Sequence, residues 1–76
     1  MPTLTERTIN FLTAGLNMKE VKSSSRKYRT FRSSTSKRNY YVGKAGAVRA
    51  GKTVSDSFSI TEQVHANMKL WERRVK

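Results

Sequence analysis

The sequence predicts a small α+β domain: a three-stranded antiparallel sheet with a C-terminal amphipathic helix packed on one face and a short N-terminal helix. Three observations predict this fold. Apolar residues recur at helical spacing near both ends of the chain, strand-forming residues cluster in the middle, and glycines and serines separate these segments. The 76 residues are enough for one small domain.

The N-terminal helix is predicted for residues 3–16. Thr3 and Glu6 have the spacing of a capping box, and Gly15 is a suitable helix end. The helix could pack on the core, or it could form a partner-binding or dimerising arm. We divide the chain accordingly into an N-terminal helical arm with its linker, residues 1–22, and a basic β-β-β-α domain, residues 23–76.

Three strands are predicted from residue type and alternation. They cover about 26–32, 39–43 and 47–54, and the third is expected to bend or end near Gly51. A short hairpin loop, 43–46, joins the last two, with Gly46 free to take a positive φ. Alternation assigns the following residues to the core: Phe31, Tyr41, Val48 and Val54. It leaves Arg29 (if a bulge intervenes), Tyr40 and Arg49 on the outer face.

The C-terminal helix is predicted from a second capping box, Ser59 with Glu62, which precedes an apolar-periodic run ending near Trp71. The resulting order is helix, three strands, helix. In element order alone, it is similar to sheet-plus-helix DNA-binding modules of the integrase N-terminal type. That resemblance implies a sheet face that contacts nucleic acid.

The charge distribution predicts a polyanionic partner. The net charge is +11, and nine of the sixteen basic residues lie between Arg26 and Lys52, interleaved with four aromatics. No acid occurs from Val21 to Ser55. A run of like charge is usually disordered, but strand formers and glycine turns favour a folded basic sheet here. Cations of this kind neutralise phosphates and release counterions.

We therefore predict a nucleic-acid-binding module, with DNA favoured over RNA because a narrow sheet suits a major groove. Phosphate contacts are expected on the sheet face and in the loops 33–38 and 44–46. The candidate binding residues are Arg26, Lys27, Arg29, Arg32, Lys37, Arg38, Tyr40, Lys44, Arg49 and Lys52.

An alternative function is a small regulatory or inhibitory accessory protein, of the kind that phages encode. Such a protein would dock on an acidic surface of a larger enzyme or nucleoprotein complex, with the N-terminal helix and exposed aromatics as anchors. The N-terminal helix is also a candidate surface for homo-oligomer formation. The expected location is cytoplasmic or nucleoid-associated.

One string has the appearance of a nucleotide-binding motif. Residues 46–53, GAVRAGKT, match the P-loop pattern, but a P-loop leads straight into a helix, and the predicted helix starts only near Ile60. We interpret the string as a strand. The chain has no cysteine and one histidine, His65, so we expect no metal, no cofactor and no enzymatic activity. No apolar run is long enough to span a bilayer. Binding of the C-terminal helix to an anionic membrane surface is disfavoured because Glu62 and Glu72 lie among its cations, so we expect no membrane partner.

Overall fold

Five antiparallel strands follow one another along the chain, and each pairs with its sequence neighbours in the order β1-β2-β3-β4-β5. The computed structural model describes residues 2–23, 26–34 and 38–75. Within these ranges the strands are β1 (Lys19–Val21), β2 (Arg29–Arg32), β3 (Asn39–Val42), β4 (Val48–Gly51) and β5 (Ser57–Ser59). The helices are α1 (Leu4–Asn10), which continues as a π-helical turn (Phe11–Gly15), and α2 (Thr61–Arg74); a 3-10 turn (Lys44–Gly46) joins β3 to β4.

The α+β class with an antiparallel sheet and two helices is confirmed, but the prediction of three strands is wrong. The sheet gains an edge strand on each side, β1 and β5, of three residues each. The segment that forms β1 lacks aromatics and reads as a linker. Its extended conformation depends on pairing with β2, where Lys19 lies opposite Arg32 and Val21 opposite Thr30.

The start of α1 follows the predicted capping box. The Thr3 hydroxyl accepts a hydrogen bond from the Glu6 amide at 3.1 Å, and the Glu6 carboxylate accepts one from the Thr3 amide at 3.4 Å. The helical segment ends at Gly15, as predicted, but its last turn, from Phe11 onwards, is π-helical. The left-handed residue that turns the chain towards β1 is Asn17, with φ +56°.

Strand register divides the sheet into two faces, because residues directly opposite each other point the same way. The inner face carries Glu20, Arg29, Phe31, Tyr40, Val42, Val48, Ala50 and Phe58. Phe31 and Val48 are fully buried there, as predicted. Tyr41 is buried, as predicted, but register places it on the outer face, whereas Tyr40, predicted outside, lies half-buried on the inner face. Val54, also predicted in the core, is only half-buried, because it lies in the bend after β4 and not in a strand. No bulge intervenes in β2, so Arg29 shares the inner face with Phe31.

One buried cluster contains residues of the sheet and of both helical segments. Phe11, Leu12 and Met18 belong to the same buried cluster as Phe31, Val42 and Val48. Val64 and Met68 of α2 are also members. Of the two roles open for the N-terminal helix, core packing is the one that the structure shows; self-association through its exposed side stays a prediction.

A bidentate ion pair joins the two helices. Arg7 of α1 donates to both carboxylate oxygens of Glu72 in α2, at 2.6 and 3.0 Å. Trp71 lies beside it, half-buried, with its ring 5.6 Å from that of Phe11. These contacts attach α2 to the N-terminal helical segment as well as to the core.

The predicted cap of the second helix is wrong. Ser59 is still part of β5, opposite Arg49, and α2 begins after Ile60 without a side-chain cap. The Ile60 amide donates to the Val48 carbonyl at 2.9 Å, so sheet pairing holds this backbone extended past the position where the cap was expected. The Thr61 hydroxyl also contacts β4, because it accepts a hydrogen bond from the Val48 amide at 3.0 Å.

Candidate nucleic-acid interface

The sheet face turned away from the buried cluster, here called the outer face, is basic. Among the described strand residues, register places ten on it, of which three are cations and none is an acid. They are Lys19, Val21, Thr30, Arg32, Asn39, Tyr41, Arg49, Gly51, Ser57 and Ser59. The nearby Asp56 lies beyond the strand end, in the turn that joins β4 to β5.

Two of the outer-face cations oppose each other directly. Lys19 on β1 is the register partner of Arg32 on β2, and both side chains are exposed. Like charges in directly opposite positions of a sheet destabilise the pairing. Free of ligand, this arrangement costs stability, and an anion bound between the two side chains would remove the cost.

The third outer-face cation is held in place by β5. The Arg49 guanidinium donates from Nε to the Ser57 hydroxyl at 2.8 Å and from Nη2 to the Ser57 carbonyl at 2.6 Å. It keeps further N–H donors, because a guanidinium has five. Tyr41 lies directly opposite Arg49 but is buried, with its hydroxyl 3.5 Å from the Gly51 carbonyl. Arg49 is therefore fixed in position, while Tyr41 presents little ring surface for stacking.

The inner face, by contrast, neutralises its own charge. Arg29 donates two hydrogen bonds to Glu20, at 2.6 and 2.7 Å, and lies 5.7 Å from the centre of the Phe31 ring. The hydrogen bonds from Arg29 hold the pKa of the Glu20 carboxyl below its ordinary value of 4.5, and the nearby positive charge acts in the same direction. Of the predicted binding residues, Arg29 already has a partner.

Acidification is expected to remove the contribution of this pair. Because the folded-state pKa of Glu20 is lowered, the stabilisation is present above its unfolded-state pKa and is lost as the pH falls through the folded-state value. Both side chains are largely exposed, so the effect should be less than about 1 kcal/mol. Urea unfolding of the wild type and Glu20→Gln should differ at pH 7, and the difference should shrink as the pH falls below 4.5. An unchanged difference at pH 3 would contradict the assignment.

A second basic surface lies at the end of the sheet where β2 begins and β3 ends. It is a concavity of about 810 Å³, here called the basic groove, lined among others by Thr5, Arg26, Lys27, Tyr28, Arg29 and Lys44. Four of these six are predicted binding residues. Tyr28 is half-buried, and the three cations other than Arg29 are exposed. The groove therefore combines positive charge with one aromatic ring.

The remaining predicted residues are distributed around the sheet. Arg38, just before β3, and the turn 43–47 lie at opposite ends of the strands, which rise roughly 13 Å over four residues. Arg38 is exposed just before β3, Lys52 is exposed in the bend after β4, and Tyr40 is half-buried on the inner face. Lys37 lies outside the described residues.

The central half of the P-loop-like string is a strand, as its alternation predicts, while the string begins in the turn before that strand and ends in the bend after it. Residues 48–51 form β4, paired antiparallel with β3 on one side and β5 on the other. The backbone structure explains why glycine occurs at both of these positions in the string. Gly46 takes φ +74° where α1 and α2 meet the turn: its amide donates to the Thr5 hydroxyl at 3.0 Å and its carbonyl accepts from His65 Nε2 at 2.7 Å. Gly51 lies against the backbone of Asp56.

Sequence reasoning missed three residues of these surfaces. Lys19 lies on the outer face, Tyr28 in the basic groove, and Tyr41 beneath Arg49 on the outer side of the sheet. The alternation Lys-Glu-Val in 19–21 was the available signal for β1, and with it for Lys19. The predicted strand 26–32 included Tyr28, but β2 begins only at Arg29, so alternation within the strand does not determine where Tyr28 lies.

Comparison with known proteins finds no matching family model, no significantly similar curated protein and no significantly similar solved structure. Within the described ranges, no three acidic or histidine side chains come together in a way that could hold a metal ion. In that same part of the chain, neither helix has the length and apolar character needed to cross a bilayer. The geometry and charge of the two basic surfaces are therefore the basis for any proposal of function.

Proposed function

We propose that this protein binds nucleic acid, with the outer face of the sheet against the phosphate backbone. The observation that carries the proposal is that two cations, Lys19 and Arg32, lie directly opposite each other on a face whose described strand residues include no acid. We include in the proposal that α2 covers the inner face, as the membership of Val64 and Met68 in the buried cluster favours. The outer face is then left for the ligand.

The net charge of +11 supports a polyanion over a small ligand. A charge of this size raises the self-repulsion of a small domain, and a bound polyanion relieves it. Arg49 adds a cation held in a fixed position, so less side-chain entropy is lost on contact. The hydroxyls of Ser57 and Ser59 on the same face are suitable donors to phosphate oxygens.

The width of the sheet argues against insertion of the whole face into a duplex groove. Five strands at roughly 4.8 Å spacing span about 19 Å between the outer two, whereas the major groove of B-DNA is about 12 Å wide. DNA was favoured because a narrow, three-stranded sheet suits a major groove. Since the sheet has five strands, this reason no longer applies. The choice of DNA over RNA stays a prediction, and the proposed contact is with the backbone.

Fluorescence anisotropy with labelled duplex DNA, single-stranded DNA and RNA, over a salt series, tests the proposal. The logarithm of the binding constant should fall linearly with the logarithm of salt concentration, with a slope of roughly −2 to −4 for three or four neutralised phosphates. An affinity independent of salt would contradict the proposal. So would the absence of binding to all three nucleic acids at about 50 mM salt.

A second candidate function is docking on an acidic protein surface, and one observation favours it. Phe58 on the edge strand β5 is 54% exposed and, with Leu16 and Arg38, borders a cleft beside α2. Exposed aromatic residues next to an arginine are common anchors of protein interfaces. A pull-down that survives nuclease and high salt, and that is lost in Phe58→Ser, would support this candidate over nucleic-acid binding.

A further inference from the structure

The basic groove differs from the outer face in having a partly accessible aromatic ring. Tyr28 is half-buried at the start of β2, with exposed cations before it in sequence, Arg26 and Lys27, and Lys44 across the groove. The outer face offers charge, but its tyrosine, Tyr41, is 3% exposed. Of the outer face and the basic groove, the groove is therefore the surface with an aromatic ring that a base could contact.

Tyr28 is held in position by its surroundings. Its carbonyl accepts a hydrogen bond from the Ser23 hydroxyl at 2.7 Å, which fixes the backbone before β2. Its ring lies against Gly43, so closely that a β-carbon on Gly43 would come within 2.8 Å of the ring. Gly43 is in turn fixed by donating its amide to the Ala47 carbonyl at 2.8 Å. The ring is thus pre-positioned rather than ordered on binding.

The size and charge of the groove suit one nucleotide. Its volume of about 810 Å³ lies within the range of roughly 300–1,000 Å³ that is common for small-ligand sites. Arg26 and Lys44 provide positive charge from two different segments of the chain. Single-stranded nucleic acid is commonly bound by this combination, a basic groove that follows the backbone and an aromatic on which a base stacks.

We propose that the basic groove is a site for an unpaired nucleotide, with its base on Tyr28 and its phosphates near Arg26 and Lys44. The inference rests on the proposed nucleic-acid-binding function and deepens it by naming single-stranded nucleic acid as the partner. A base within a duplex is stacked on both sides and cannot reach the ring. The groove therefore discriminates between single strands and duplexes, whereas phosphate contacts on the outer face do not.

Anisotropy titrations of Tyr28→Leu, Tyr28→Phe and the wild type, with a single-stranded oligonucleotide and its duplex, test this site. Leucine keeps an apolar side chain against Gly43 but removes the aromatic face. Tyr28→Leu should bind the single strand roughly 10-fold more weakly, in line with base–aromatic stacking, with duplex affinity unchanged. Tyr28→Phe should bind both like the wild type. Circular dichroism of each variant checks that the fold is retained.

Equal losses for single strand and duplex, or no loss for either in Tyr28→Leu, would overturn the inference. Photo-crosslinking of a single strand containing 5-iodouracil provides a readout that does not depend on stability: the adduct should map to residues 26–29 by mass spectrometry. A map confined to other residues would overturn the inference as well. In all of these outcomes the proposed function still stands if the salt dependence and the outer-face contacts are found, so the two failures are distinguishable.

Discussion

The double variant Lys19→Glu/Arg32→Glu is expected to bind nucleic acid roughly 50- to 100-fold more weakly than the wild type at about 0.1 M salt. Each phosphate contact contributes close to a tenfold factor at this salt concentration through counterion release, and the variant removes two. The slope of the logarithm of affinity against the logarithm of salt should become shallower by about 2. Anisotropy titrations at several salt concentrations measure both quantities.

A matched control is available on α2. Lys69 and Arg73 are exposed on α2, the helix that we propose covers the inner face. Lys69→Glu/Arg73→Glu changes the net charge by the same amount. If the outer face makes specific phosphate contacts, this control should lose only a few-fold in affinity through the overall change in charge. Equal losses in the two double variants would show that net charge alone determines binding and would contradict the assigned surface.

The single variant Lys19→Glu separates binding from folding. It places a carboxylate directly opposite Arg32, so an unfavourable cross-strand pair becomes a favourable one. Its thermal midpoint should equal or exceed that of the wild type, while its affinity for nucleic acid should fall. A lower midpoint would contradict the register of β1 with β2. A higher midpoint with unchanged affinity would contradict Lys19 as a contact residue.

The substitution Gly51→Ala is expected to destabilise the fold strongly, although it adds only one methyl group. A β-carbon on Gly51 would lie 2.2 Å from the Asp56 carbonyl oxygen and 2.7 Å from the Ser57 α-carbon. These are backbone atoms, so the β4–β5 turn must move to accept the methyl group. We expect a loss of roughly 3 kcal/mol, measured by urea unfolding. For a domain of 76 residues, that is a large share of a total of about 4–11 kcal/mol.

Gly43→Ala is the matched control for this prediction. Its β-carbon would meet ring atoms of Tyr28, so a side chain and not the backbone has to shift, and Gly43 has a negative φ that alanine tolerates. The expected cost is less than about 1 kcal/mol. Equal costs for the two substitutions would contradict the close approach of the β4–β5 turn to Gly51.

The two glycines of the P-loop-like string, Gly46 and Gly51, show why that pattern is misleading in this chain. In a nucleotide-binding loop the glycines let the backbone approach phosphate. Here Gly46 takes the positive φ that its turn requires, and that turn contacts both helices. Gly51 lacks a β-carbon, which allows the backbone leading into the neighbouring strand to pass close to it. A short pattern can match for reasons of backbone packing, and alternation through Val48 and Ala50 was the better guide to the local structure.

The amino-acid sequence by itself determined the local elements of this protein. These elements depend on residues that are close together in the sequence, so they need no distant contact. They are the cap formed by Thr3 and Glu6, the alternation in β3 and β4, and the helical periodicity from Val64 to Trp71. Composition likewise predicted a basic surface. These parts of the prediction needed no knowledge of the tertiary structure.

Only the tertiary structure decided which residues the two faces of the sheet present. The edge strands β1 and β5 are three residues long and are extended because β2 and β4 supply their hydrogen-bond partners. Pairing through Ser59 also displaced the expected helix cap. The register then placed Tyr40 inside, Tyr41 outside, Arg29 against Glu20, and Lys19 opposite Arg32. A shift of one residue exchanges the faces of a strand, so the binding surface depends on long-range pairing that no local pattern specifies.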